Sequence, residues 1–305
     1  VPKHALNLTV AAAAVALLAS CGEPSTSAES SAPATRQVEH AMGVAEVPAA
    51  PERVVVLDTG ELDDALALGV TPVGAVTVDV STDFLSYLEG QTDGIETVGT
   101  ISEPNLEKIA ALDPDLILSS MVRHEELYDE LQAIAPTVLA PDLGDTWKDN
   151  FRLYAEALGK SDEAEQMLAE FESQARETGE LIGSGSTVSL VRFLPGQIRL
   201  YSDQSFSGTI LTDMGLEVPA PAVGKDTYLE LSPEQVTEAE ADFVYVSTYG
   251  PVDDTDQAKV VGGPLWQRIA AVRAGEVHEL DDDLVSGIGI QAAQQILDQL
   301  GNELR

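Results

Sequence analysis

Asn105-Leu-Glu107-Lys-Ile-Ala-Ala-Leu-Asp-Pro-Asp115-Leu-Ile-Leu118 reads as a capped helix followed by an apolar strand. The same unit returns as Ser232-Pro-Glu234-Gln-Val-Thr-Glu-Ala-Glu-Ala-Asp242-Phe-Val-Tyr245. In both copies a capping residue precedes a Glu by two positions, and an Asp eight positions later opens the strand. Ser232 with Gln235 also forms a capping-box pattern. One helix–strand unit on each side of the chain's middle predicts two lobes of related construction.

The flanking segments extend that pattern. Val54-Val55-Val56-Leu57 is a continuous apolar run, as expected of a strand buried on both faces. A helix over Glu61–Leu68 stopped by Gly69, a strand over Val73–Val76, a helix over Glu125–Ile134 and a strand over Thr137–Leu139 follow. Alternating helices and apolar strands indicate α/β structure. After Pro141 the chain turns helical, and the second helix there starts at Ser161, an N-cap residue followed by Asp162 and Glu163. Met167, Leu168, Phe171 and Ala175 give this helix one apolar stripe, and Gly183 and Gly185 end it. At 1.5 Å per residue it spans about 30 Å, the width of a small lobe. A strand over Thr187–Phe193 opens the second lobe. The expected fold is α/β, with two lobes joined by a single long rigid helix and a ligand cleft between them. The organisation is 1–20 signal peptide, 21–37 tether, 38–145 N-terminal lobe, 146–182 helical segment and 183–305 C-terminal lobe.

Charge narrows the function. The 305 residues contain 16 Lys and Arg against 52 Asp and Glu, a net charge of −36. A general nucleic-acid binder needs cations to displace counterions, and adsorption to anionic lipid needs them too. Neither partner suits this chain. The single cysteine cannot make an internal disulfide. It stands at the end of a start signal: Lys3 and His4, an apolar run from Ala5 to Leu18, then Leu18-Ala19-Ser20-Cys21. A Leu three residues before a Cys, with small residues between, is similar to the lipobox of bacterial lipoproteins. The expectation is cleavage before Cys21, a lipid anchor on it, and a Ser-, Ala- and Pro-rich tether beyond it at the outer face of the cytoplasmic membrane.

No catalytic site is expected. The chain has no phosphate-binding loop, no nucleophile elbow and no His-Glu-x-x-His pattern. The histidines lack ligand spacing, so no metal site is expected either. Asp281-Asp282-Asp283 reads as a solvated turn. Open α/β sheets bind at the carboxyl ends of their strands, and two-lobed proteins bind between lobes. The residues just past the strands include Arg123, Trp147, Arg192 and Tyr249, with Phe206 and Tyr228 as further wall residues. The arginines equally suit salt bridges, and Trp147 equally suits a core anchor. Glu107 and Glu234 stabilise a helix N-terminus by about 0.3–1 kcal/mol each, whatever else they do.

Together with the lipobox, several stretches resemble one family, over about residues 38–300. They are His40-Ala-Met-Gly through Pro51-Glu-Arg53-Val-Val-Val-Leu-Asp58, Glu103-Pro-Asn105-Leu-Glu107, and Arg123-His-Glu-Glu-Leu-Tyr128. Further matches are Trp147-Lys-Asp-Asn-Phe through Gly159, Val191-Arg192-Phe-Leu-Pro-Gly, Leu231-Ser-Pro-Glu234, Gly263-Pro-Leu-Trp266 and Val277-His-Glu-Leu-Asp-Asp-Asp283. The chain is similar to the iron–siderophore substrate-binding lipoproteins, of ferric hydroxamate type, that serve ABC importers (class III periplasmic binding proteins). The resemblance implies Rossmann-like lobes, an Fe(III)–siderophore in the cleft, no cofactor beyond the iron inside that ligand, a monomer, and an ABC permease dimer as partner. It implies that Glu107 and Glu234, one per lobe, dock on basic residues of the permease. Relatives often carry Trp within the segment Asp283–Gly289, and this chain does not. A cobalamin or haem receptor of the same fold is the alternative, and a cell-surface enzyme or adhesin is a third.

Overall fold

The computed structural model describes residues 34–183 and 185–304. The signal peptide, Cys21 and most of the tether lie outside the described residues. The tether ends earlier than its composition suggests. Thr35–His40 (β1) pairs antiparallel with Gly43–Pro48 (β2), so residues 35–37 are strand. The pairing is worth making because it buries Val38 and Val47 completely.

The N-terminal lobe holds a five-stranded sheet of Val54–Val56 (β3), Gly74–Thr77 (β4), Glu96–Thr100 (β5), Leu116–Ser120 (β6) and Thr137–Ala140 (β7). Its order is β5-β4-β3-β6-β7 and every pairing is parallel. The unbroken apolar run of β3 follows from burial on both faces. Val54 and Val56 join one core cluster, and Val55 and Leu57 the other. The C-terminal lobe orders Val188–Leu194 (β8), Gln197–Tyr201 (β9), Tyr228–Leu231 (β10), Phe243–Thr248 (β11) and Val277–Glu279 (β12) as β10-β9-β8-β11-β12. This sheet is mixed. Pro195-Gly196 turns the chain back tightly, with Gly196 at φ 75°, so β8 and β9 form an antiparallel hairpin. Strand order reverses beside β3 in one lobe and beside β8 in the other. Such switch points leave a crevice at the carboxyl ends of the strands.

The helix Ser161–Ile182 connects the lobes. Ser161 is its first helical residue rather than its cap; Lys160 takes the cap position and no side chain caps the end. Ala164, Leu168, Phe171 and Ala175 form the buried stripe. At Gly179 a Cβ would stand 1.6 Å from the Met214 carbonyl oxygen. Only glycine lets the helix lie this close to the second lobe.

Both copies of the repeated unit form, with one difference. Leu106–Ala111 is α-helix, capped by Asn105 Oδ1, which accepts the Lys108 N–H at 2.9 Å. Pro233–Ala239 is a 3₁₀ helix. Its buried residues Val236 and Ala239 are three apart and stack on one face at three residues per turn. The two Asp residues act alike. Asp115 accepts the backbone N–H groups of Glu52 and Arg53 ahead of β3, and Asp242 accepts that of Thr187 ahead of β8. Each ties its own strand to its parallel neighbour. The expected helix over Glu125–Ile134 is divided into a 3₁₀ turn, Glu125–Leu127, and a short helix, Tyr128–Gln132. Among the described residues, no helix is long and apolar enough to cross a membrane.

Candidate ligand-binding cleft

A cavity of about 420 Å³ opens where the two sets of strand ends face each other. Asp79, from the loop after β4, and Arg123, from the short helix Met121–His124 after β6, line the N-terminal wall. Arg192 of β8, Arg199 of β9, Tyr228 of β10 and Tyr249 after β11 line the other. Thr59, Ser286 and Ile288 contribute where the lobes meet.

Five of the six residues expected at the cleft are therefore brought together: Arg123, Arg192, Phe206, Tyr228 and Tyr249. Trp147 is not. It is 1% exposed and sits edge-on to Phe171 (5.4 Å) and Phe206 (5.5 Å), with Nε1 donating to Thr209 Oγ1 at 2.9 Å. Two aromatic neighbours and a satisfied indole N–H make it a core anchor between the joining helix and the second lobe. The acidic run is also more than a solvated turn. Asp281 caps the helix Asp282–Gly287, Asp282 binds Arg192, and Asp283 accepts the Ser86 N–H of the other lobe at 2.7 Å.

The arginines differ in what they can offer. Arg192 is 7% exposed, and its donors are engaged. Nε and Nη2 fork onto Asp282 at 2.7 and 2.5 Å, Nη1 donates to the Tyr201 hydroxyl at 3.1 Å, and Nη2 also reaches Ser286 Oγ at 2.5 Å. The guanidinium stacks on Tyr249, 4.9 Å from the ring centre. Burial alone would lower its pKa, but the Asp282 fork holds it above the ordinary value. Arg123 gives only Nε, to Asp58 Oδ2 at 2.7 Å, and its side chain is 35% exposed. Its Nη groups make no hydrogen bond among the described residues, and the residue lines the cavity.

Arg199 went unanticipated. Its guanidinium lies over Tyr228 at 4.2 Å, Nε donates to Gln197 Oε1 at 2.7 Å, and it forms no ion pair among the described residues. The signal was the Pro195-Gly196 turn. A tight hairpin there pairs Arg192 with Arg199 directly across β8 and β9, which puts both side chains on one face. Two like charges in that position oppose pairing. Asp282 pairs with one of them; the other has Glu230 across from it on β10 but forms no ion pair among the described residues.

Beneath the cleft lies a layer of buried acids on the helix Thr59–Ala67: Glu61, Asp63 and Asp64, each at most 2% exposed. Burial pushes Glu61 up to about 8 and Asp63 up to about 6, and holds Asp64 well above the carboxylate range. Glu61 accepts the Tyr154 hydroxyl at 2.7 Å. Asp63 accepts the Tyr87 hydroxyl at 2.7 Å. Glu107 and Glu234 lie outside this region, both exposed, one on each lobe. Among the described residues, no group of His, Cys, Asp and Glu is placed to hold a metal ion.

The geometry has counterparts among known proteins. Residues 54–284 match the family model described as periplasmic binding protein. The chain is 38% identical to the probable siderophore-binding lipoprotein YfiY of Bacillus subtilis (strain 168), over 98% of this chain and 97% of that protein. It is 32% identical to the Fe(3+)-citrate-binding protein YfmC of the same organism, over 82% and 79%. The crystal structure of Staphylococcus aureus SirA complexed with staphyloferrin B superposes with a TM-score of 0.80 at 31% identity, covering 88% of this chain and 98% of that one. The chain belongs to the periplasmic binding protein family, and its two α/β lobes joined by one long helix are the fold that the resemblance implied.

Proposed function

We propose that this member of the periplasmic binding protein family is an extracytoplasmic receptor that binds an Fe(III)–siderophore between its lobes and hands it to an ABC permease. The observation that carries the reading is a pair of arginines with unused donors, Arg123 and Arg199, facing one cavity from opposite lobes. In a protein with 52 acidic residues, cations left free at one place need a partner of their own. The oxygens around a chelated ferric ion supply anionic acceptors, and charge-assisted bonds to them are the strong kind. Tyr228 and Tyr249 add flat apolar walls. Relatives named for siderophores and for ferric citrate support the reading.

Within that class the charge balance favours a hydroxamate chelate, neutral or cationic. Arg192 is cancelled by Asp282, Arg123 is paired with Asp58, and Asp79 on the wall offsets Arg199, so the cleft is close to neutral. Such a cleft suits acceptor oxygens better than a trianionic complex. The iron belongs to the ligand, so the protein needs no cofactor of its own and performs no catalysis. Glu107 and Glu234 dock on the permease, the receptor acts as a monomer, and Cys21 carries the lipid that keeps it at the outer face of the membrane. Titrating tryptophan fluorescence with ferric and iron-free siderophores tests the central point. Saturable quenching by ferric complexes alone is expected, and equal binding of iron-free ligands would overturn it.

A further inference from the structure

We propose that Thr59 is a positioning residue whose hydroxyl sets where the cleft arginines of the two lobes stand relative to each other, an inference that rests on the ferric-chelate reading. The observation is one unbroken hydrogen-bonded path across the floor of the cleft. Arg123 Nε donates to Asp58 Oδ2 at 2.7 Å, and Asp58 Oδ1 accepts the Thr59 N–H at 2.7 Å. Thr59 Oγ1 then crosses to the other lobe and donates to the Ser286 carbonyl oxygen at 2.6 Å, the nearer of its two acceptors, Asp58 Oδ1 lying at 3.2 Å. Ser286 Oγ accepts from Arg192 Nη2 at 2.5 Å, and Asp282 fixes the same guanidinium. The other links each involve a carboxylate or a guanidinium, and the crossing link is the short, part-buried bond of the Thr59 hydroxyl.

Three features make that crossing precise. Thr59 is 3% exposed, which limits the competition of water for its hydroxyl. Its branched Cβ restricts χ1, so Oγ1 has few places to go. At Gly60 a Cβ would stand 3.3 Å from the Ile288 carbonyl oxygen, so the two backbones already lie close at this point. A rigid ferric chelate that touches both lobes is bound best when the donors on each side are spaced before it arrives, because ordering them on binding costs affinity. Thr59 supplies that spacing through its bond to Ser286.

The test uses Thr59→Val, which keeps the shape and the N–H but loses the hydroxyl, with Thr59→Ser as the conservative rescue. Ferrioxamine B and ferric citrate serve as probes, read by tryptophan quenching beside thermal unfolding. Thr59→Val should weaken binding about five- to twentyfold, the loss of one buried hydrogen bond, and Thr59→Ser should restore it. Ser286→Ala breaks the next link of the same path, so the double variant should bind no more weakly than the weaker single one. A merely structural role would instead lower the unfolding temperature and make the two losses add. Amide exchange of the free protein supplies a readout without ligand: Thr59→Val should speed exchange across 283–290. Wild-type affinity in Thr59→Val, or additive losses, overturns the inference. Failure of the wild-type protein to bind either probe, with exchange still altered by Thr59→Val, overturns the ferric-chelate reading and leaves the bridge standing.

Discussion

Asp63 on the first helix of the N-terminal lobe caps the last helix of the other lobe: its Oδ1 accepts the Gln291 N–H at 2.7 Å. Oδ2 takes the Ala292 N–H at 2.9 Å, and Asp64 takes that of Ile290 at 3.1 Å. Three of the N–H groups that open the helix Ile290–Glu303 are thus satisfied across the lobe junction. Gly289 makes room for this, since a Cβ there would lie 2.5 Å from Asp63. The helix Ser161–Ile182 joins the lobes covalently, and this clasp adds to the Thr59–Ser286 and Ser86–Asp283 hydrogen bonds that tie them together.

Attachment at several points leaves little freedom for a hinge. Solution scattering with and without ferric ligand should nearly superimpose, with the radius of gyration changing by less than about 1 Å, unlike the larger closure of two domains linked by a flexible hinge. Compaction of several ångströms would show that both the helix and the clasp yield. Gly289→Ala should loosen the clasp and lower stability by about 1–3 kcal/mol through the clash alone.

The buried acids of the helix Thr59–Ala67 make a pH prediction with a definite sign. Burial raises Glu61 to about 8 and Asp63 to about 6, so the folded protein binds protons more tightly than the unfolded chain. The stability tied to these groups is complete below their unfolded values and is lost as pH rises through about 6 and then about 8. General repulsion among carboxylates acts in the same direction. Glu61→Gln separates the two effects, because it keeps an acceptor for Tyr154 but cannot ionise. Relative to the wild type it should gain on the order of 1–3 kcal/mol between pH 5 and pH 8.5. Parallel stability curves for the two proteins would mean that Glu61 is ionised throughout.

The two walls of the cleft should respond differently to mutation. Arg123→Gln removes free donors and leaves a half-satisfied Asp58, so ferric-ligand affinity should fall by about 1.5–3 kcal/mol with a small loss of stability. Arg199→Gln should also act on affinity. Arg192→Gln breaks a buried fork, and it should cost about 3–5 kcal/mol of folding stability before any ligand is added. Urea unfolding and quenching titrations on the same three variants measure both quantities. The order would be wrong if Arg192→Gln proved the most stable of the three.

Ligand charge offers a test that needs no mutation. Ferrioxamine should bind more tightly than ferric enterobactin, a triscatecholate that brings three negative charges to a protein of net −36. Raising the salt concentration should narrow the gap, since screening weakens long-range repulsion. Tighter binding of enterobactin at low salt would assign the cleft to catecholates.

What could be read from the amino acids followed burial. Val54–Leu57 and Leu116–Leu118 announce themselves because a strand covered on both faces has no polar positions to blur it. The pairing of Arg123 and Arg192 at one cleft followed from strand ends and a switch point. Arg199 was hidden by its strand: Gln197-Ile-Arg199-Leu-Tyr201 alternates like a half-exposed edge, and only the hairpin register puts Arg199 opposite Arg192. The clasp was hidden more deeply. Leu62-Asp63-Asp64-Ala65 looks like a solvent-facing helix, yet both acids are buried because a second lobe, more than 200 residues later, brings its backbone N–H groups to them. No local pattern carries that information.

Glu107 and Glu234 test what the repeated helix–strand unit is for. Each stands in the first turn of an equivalent element, exposed, one per lobe. A partner built from two identical halves presents matching cationic patches, and recognition by charge at two such points fixes orientation as well as affinity. Stabilising a helix start requires only a small contribution, so if that were their whole role each Glu→Ala would cost under about 1 kcal/mol of stability and leave transport intact. Docking requires more. Uptake of ferric siderophore should collapse in Glu107→Ala/Glu234→Ala while affinity in solution stays at the wild-type value, and each single variant should fall between. Lys at both positions should abolish uptake more completely than Ala, because it adds repulsion to the loss of attraction. Normal uptake by the double Ala variant would return both residues to helix capping.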